Sequence, residues 1–207
     1  GPKATRAPMA QNSVLTMEAI PQYGVVLSES NGDLNVLLRL KGAENKATKR
    51  PGLDLAIVLD RSGSMSGAKI VAVKTAALKL LDALNESDRV TLISYATNVQ
   101  LHSQSVKLDA EGKASLKKHI LAIRSGGSTA LGPALFQALD HLEGGDRGTS
   151  NLAHVMLLSD GLANVGPQDP VVIGRRTSLA FKRGITVSTL GVGLDYNEDL
   201  MTRVADQ

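Results

Sequence analysis

An apolar run that stops at an acid limits the folds open to this chain: Leu53-Asp54-Leu55-Ala56-Ile57-Val58-Leu59-Asp60-Arg61-Ser62-Gly63-Ser64. A run of this length, bounded by turn residues, reads as a strand buried on both faces, as in a parallel sheet. Asp60 then falls at the carboxyl edge of the sheet, where open α/β sheets bind their ligands. Ser62 and Ser64 follow at alternate positions, so one tight loop offers three oxygens. That set suits a hard divalent cation.

From Leu53 onward the pattern alternates strand and helix. Ser66 reads as an N-cap for a helix over Ala68–Leu84, which carries Val73, Ala77, Leu80, Leu81 and Leu84 at helical spacing. Arg89–Tyr95 is a second strand, and Asn98–Leu101 and Ser105–Leu108 read as short edge pieces. Further helices are expected over Glu111–Ile123, Leu131–Leu142 and Pro170–Arg183, with strands over Ala153–Ser159 and Ile185–Val192. A last helix begins at Tyr196. Alternating strands and helices imply βαβ units, hence an α/β fold with a doubly wound, mostly parallel central sheet and helices on both faces.

The N-terminal part reads differently. Tyr23–Glu29 and Leu34–Lys41 are β-rich runs separated by Ser30-Asn31-Gly32-Asp33, a strong hairpin signal. A lone hairpin is marginal, so this one is expected to pack on something. Gly42–Gly52 is charged and unpatterned and reads as a linker. Gly1-Pro2 has the look of a protease remnant, and residues 1–13 form a flexible lead-in.

Composition closes off several function classes. Aromatics are 2% with no Trp, which argues against stacking platforms for bases. The chain has no Cys, which removes thiolate metal sites and a Cys nucleophile. The formal charge of +3 comes from a diffuse excess before residue 51, where Lys3, Arg6, Arg39, Lys41, Lys46, Lys49 and Arg50 face Glu18, Glu29, Asp33 and Glu44. A nucleic-acid footprint would cluster, so no nucleic-acid partner is expected. No apolar run is long enough for a transmembrane segment.

Two further loops join the first. Gly126-Gly127-Ser128-Thr129 opens a helix, and Ser159-Asp160-Gly161 follows a buried strand. All three fall on one sheet edge, so Asp60, Ser62, Ser64, Thr129 and Asp160 converge as three hydroxyls and two carboxylates. The all-oxygen set favours one divalent cation, Mg²⁺ first, with Mn²⁺ and Ca²⁺ as alternatives. With hydroxyls and water supplying most ligands, the metal stays electron-poor and takes a Glu or Asp carboxylate from a protein partner. Arg61, Met65, Gly127, Ser128 and Gly161 are expected to form the ligand-binding surface around it. This is binding chemistry, so no catalytic residue is assigned.

These motifs resemble a von Willebrand factor A (VWA) domain with a metal-ion-dependent adhesion site. Asp60-x-Ser62-x-Ser64 matches the family's DxSxS motif, Thr129 its single Thr and Asp160 its late Asp. The wording around them resembles bacterial secreted or envelope members that share features with inter-alpha-trypsin-inhibitor heavy chains, so an envelope or extracellular location is expected. The resemblance implies a Rossmann-like VWA domain over 51–207, a site whose hydroxyls hold the metal, and a shift of the helix at Leu131 and the final helix between two states. It also implies a sixth strand after the last helix, whereas the sequence stops at Asp206-Gln207. One arrangement consistent with this places the 14–50 segment in a β-domain split around the VWA domain.

Rival readings meet obstacles. Asp60 with Ser62 and Ser64 also fits an Asx/Ser turn capping the next helix. Gly63-Ser64-Met65-Ser66-Gly67 has Met where a hydrolase elbow needs Ser. A haloacid-dehalogenase-like phosphatase would need a second Asp at the position of Ser62. A scaffold role, in which a metal merely fixes three loops, is the remaining alternative. The four histidines lack ligand spacing, and Arg175-Arg176 and Lys182-Arg183 read as a solvated face.

Overall fold

The structure is a computed structural model, described here for residues 14–15, 23–30, 33–40, 43–45, 51–144, 152–159 and 170–191. The chain runs β1 (Val14–Leu15), β2 (Tyr23–Ser30), β3 (Asp33–Leu40), β4 (Ala43–Asn45), β5 (Leu53–Asp60), α1 (Ala68–Ala83), β6 (Arg89–Tyr95), β7 (Val99–Lys107), α2 (Ala110–Ala122), α3 (Leu131–Gly144), β8 (Leu152–Ser159), α4 (Pro170–Lys182) and β9 (Ile185–Gly191). The large sheet has the order β1-β9-β8-β5-β6-β7. Its four central strands are mutually parallel, and β7 and β1 are antiparallel edges. The expected α/β doubly wound sheet is therefore what the residues form.

Strand β5 shows why. Leu53, Leu55, Ile57 and Leu59 enter one core with Val73, Ala77, Leu80 and Leu81 of α1 and Leu116 and Ile120 of α2. Ala56 and Val58 enter the opposite core with Leu131, Leu135, Ala138 and Leu139 of α3 and Ile173 of α4. With both faces covered from Leu55 to Leu59, the run is apolar there without alternation, and the acids Asp54 and Asp60 stand near its two ends. Asp88 fixes where the strand starts: its buried carboxylate accepts from Leu53 N (2.9 Å) and from Asn85 N (2.8 Å).

Strands β5 and β8 are neighbours, yet the chain leaves them in opposite directions, to β6 on one side and β9 on the other. This is the topological switch point, where a crevice opens beyond the carboxyl ends of the strands.

Several local expectations change. Ser66 does not cap α1. Gly67, at φ 79°, occupies the N-cap position, and the Ser66 hydroxyl donates back to Gly63 O (2.8 Å). The two edge pieces are one strand, β7, whose pairing with β6 slips between Val90 and Ile93 and whose Ser105 has φ 50°. The polar bulge is what divides the strand in sequence. The 42–52 linker contains β4, which pairs with β3. The expected hairpin is present as β2 and β3, with β3 lying against α1. Strand β1, unanticipated, extends the large sheet by pairing Val14 with Leu190 and Leu15 with Thr189. The lead-in at residues 3–13 and the last helix from Tyr196 lie outside the described residues.

Candidate metal centre at the switch point

Asp60 ends β5 with no exposed surface. One carboxylate oxygen accepts from Ser62 N (2.8 Å), closing the turn. The other accepts from Ser159 Oγ (2.7 Å) at the end of β8. The acid therefore bridges the two strands that flank the switch point. The Ser62 and Ser64 hydroxyls stand 3.0 Å apart, Ser62 buried and Ser64 exposed.

The Gly126–Thr129 loop is tied to this one through backbone. Gly63 N donates to Gly127 O (2.7 Å) and Gly126 N to Arg61 O (2.8 Å). Both ties need close approach. A Cβ on Gly63 would stand 3.2 Å from Gly127 O. Gly127 has φ 86°, and a Cβ there would stand 2.7 Å from Thr97 Oγ1, which accepts from Ser128 N (3.0 Å). The chain then enters α3 through Thr129, which is buried. Asp60, Ser62, Ser64 and Thr129 thus belong to two loops that the backbone clamps side by side. Asp160 and Gly161 lie outside the described residues.

The donor set fits a hard cation. Octahedral ligands about 2.1 Å from a Mg²⁺ centre stand roughly 3.0 Å apart along an edge. The Ser62–Ser64 separation matches that edge, although it is also a hydrogen-bond length. Both Asp60 oxygens already accept one hydrogen bond, so the carboxylate is held rigidly behind the hydroxyls.

The surrounding residues divide. Gly127 is exposed and Ser128 half-buried, as a contact surface requires. Met65 is a correction: it is fully buried in the core beneath the loop, beside Leu59 and Val73, because the single 3₁₀ turn Gly63–Met65 rotates it inward. It anchors the loop and presents nothing to a partner. The Arg61 side chain turns sideways to line a cavity with His102, His119 and Arg124. Sequence reasoning missed Ser159 and Thr97. Ser159 carried a signal, a hydroxyl as the last residue of a buried strand. Thr97 carried none.

Arg176 is a second correction, while Arg175 beside it is exposed as expected. Arg176 is no solvated residue: it donates to both Glu143 oxygens (2.8 and 3.1 Å) and to Asp140 (2.8 Å), joining α4 to α3. Arg183 also reaches Glu143.

Comparison with known proteins agrees with this architecture. The model of the von Willebrand factor type A domain matches residues 54–207. The uncharacterized Escherichia coli protein YfbK is 32% identical over 166 residues, covering 79% of this chain and 28% of that protein. Mouse inter alpha-trypsin inhibitor heavy chain 4 is 27% identical over 204 residues, covering 94% of this chain and 21% of its own length. The chain thus spans under a third of these two relatives. Among solved structures, proximal thread matrix protein 1 from the mussel byssus, with a zinc-occupied MIDAS motif, superposes with a TM-score of 0.61 at 25% identity, covering 75% of this chain and 40% of that one. The chain described here belongs to the von Willebrand factor type A domain family.

Proposed function

We propose that this domain is a non-enzymatic, divalent-cation-dependent protein-binding module. In this reading Ser62, Ser64 and Thr129 hold the cation directly, and Asp60 and Asp160 balance its charge directly or through water. The bound cation supplies a Lewis-acidic position for a Glu or Asp carboxylate of a protein partner. The remaining work falls to the chain itself. Asp60 orients the loop through Ser62 N. The Gly63–Gly127 and Gly126–Arg61 ties hold the hydroxyl loops in register. Gly127, exposed at the loop, lets that loop sit against Thr97, where a Cβ would overlap Oγ1. Mg²⁺ is the proposed cation, and an envelope or extracellular location belongs to the same proposal.

The observation that carries this reading is the hydroxyl pair in front of a fully buried, doubly hydrogen-bonded acid at the switch point. Hydroxyls donate little charge to a metal, so it keeps its affinity for an added anion. The loops are already tied by backbone bonds, which leaves a purely structural metal little to do. No second Asp stands at position 62 to act as the general acid of a phosphatase.

The test is binding of immobilised Glu- and Asp-bearing peptides in Mg²⁺, then in EDTA, and again with Thr129→Ala. Binding should need the metal and be lost in the variant. Undiminished binding under both conditions would refute the metal bridge. Asp60-dependent turnover of an aryl phosphate would refute the non-enzymatic reading.

A further inference from the structure

Beside the metal loop, between β7 and α2, lies a cavity of 420 Å³ that is lined by none of Asp60, Ser62, Ser64 and Thr129. Its walls include Arg61, Arg124, His102, His119 and Gln100, with Ile123 as an apolar wall. That volume is in the range of small-ligand sites. Among the described residues, no carboxylate lines it. Among the described residues neither Arg61 nor Arg124 makes an ion pair.

Three observations indicate what such a space would take. Arg61 Nε is buried without a hydrogen-bond partner. Leaving a buried donor unpaired is destabilising, and more so for a charged one. His102 bonds Ser94 Oγ through Nε2 (2.6 Å), so its Nδ1 has no partner among the described residues. The His102 and His119 rings stand 6.1 Å apart, and burial, then His119, then Arg61 hold the His102 pKa below its ordinary value. Two guanidinium groups, Arg61 and Arg124, thus line this space beside a His102 ring held toward its neutral form. The carboxyl end of α2 brings a partial negative charge to the same wall. It is offset by Lys74, whose Nζ donates to Leu121 O (3.0 Å).

We propose that this cavity is an oxyanion site, taking a phosphate, sulfate or carboxylate group of a small ligand between Arg61 and Arg124. An oxyanion accepts from the guanidinium groups of Arg61 and Arg124 that line the space and from His102 Nδ1, and it offsets the charge of the two arginines. Planar guanidinium forks suit such groups. The site is independent of the metal, so it stands or falls apart from the adhesion reading.

Titration of the intact chain with inorganic phosphate, and separately with glutarate, in EDTA at low ionic strength tests this. The readout is the imidazole Cε1–H resonances of His102 and His119. Saturable shifts of both should appear, with the tighter probe distinguishing a tetrahedral from a carboxylate preference. Arg124→Gln, at an exposed position, should weaken binding about tenfold, while Mn²⁺ affinity measured without phosphate stays unchanged. Arg61→Gln should weaken anion binding likewise. Absence of saturable shifts with both probes, or unchanged affinity in both Arg variants, would overturn the proposal. So would shifts that appear only when metal is present, since the anion would then sit on the cation.

Discussion

At the scale of single residues, the centre depends on positions that a sequence motif does not display. The DxSxS loop and Thr129 stood out in sequence because an acid at a strand end and hydroxyls in turns are chemically conspicuous, and the structure sets these two loops side by side. Gly127 was legible as part of a loop surface, but its tightest constraint is Thr97, thirty residues earlier, whose Oγ1 a Cβ would overlap. Gly127→Ala combines that overlap with a left-handed φ and should cost about 1–3 kcal/mol. It should also weaken Mn²⁺ binding, because the Gly127 carbonyl holds the Ser62–Ser64 loop. Urea unfolding and metal titration of one variant check both effects, and unchanged values for both would contradict the clamp. Met65 was misread because its exposure depends on a 3₁₀ turn that periodicity cannot reveal.

At the scale of elements, two contacts hold the outer strands and helices. His154 on β8 is fully buried between Thr186 and Ser188 on β9, and burial lowers its pKa to about 3. The unfolded chain binds that proton near pH 6.5 and the folded chain does not. This contribution is therefore intact above about pH 6.5 and falls by about 1.4 kcal/mol per pH unit as the pH drops toward 3. His154→Leu should flatten that part of the stability–pH curve. At neutral pH it should cost about 1–3 kcal/mol, because the Thr186 and Ser188 hydroxyls keep only long contacts to Ala153 O and Met156 Sδ (3.5 Å each). Chemical unfolding from pH 7 to pH 4 measures both, and an unaltered slope would contradict the assignment. Arg176→Ala should cost about 1–2 kcal/mol by freeing α4 from Glu143 and Asp140, with a smaller loss at high salt. The central strands were legible because burial on both faces writes continuous apolar runs. Strands β1 and β4 were not: two residues, or Ala-Glu-Asn, carry no periodicity, and only pairing to β9 or β3 makes them strands.

At the scale of the whole molecule, the sheet order decides where chemistry gathers. With β5 and β8 adjacent at the switch point, one acid can be held from both strands, and the two described loops of the candidate centre lie side by side. A cation that binds only the folded state adds about 2.7 kcal/mol of stability at a hundredfold excess over its Kd. Mg²⁺ or Mn²⁺ should therefore raise the melting temperature of the native chain and leave that of Asp60→Ala unmoved. That variant should also start lower, since Ser62 N and Ser159 Oγ lose their acceptor. An equal metal-induced shift in both proteins would place the cation elsewhere. The most direct test is a crystal soaked in Mn²⁺ and measured at the manganese edge. A single anomalous peak within bonding distance of Ser62 Oγ, Ser64 Oγ and Thr129 Oγ1 is the predicted result, and a peak away from these hydroxyls, or none, would contradict the account.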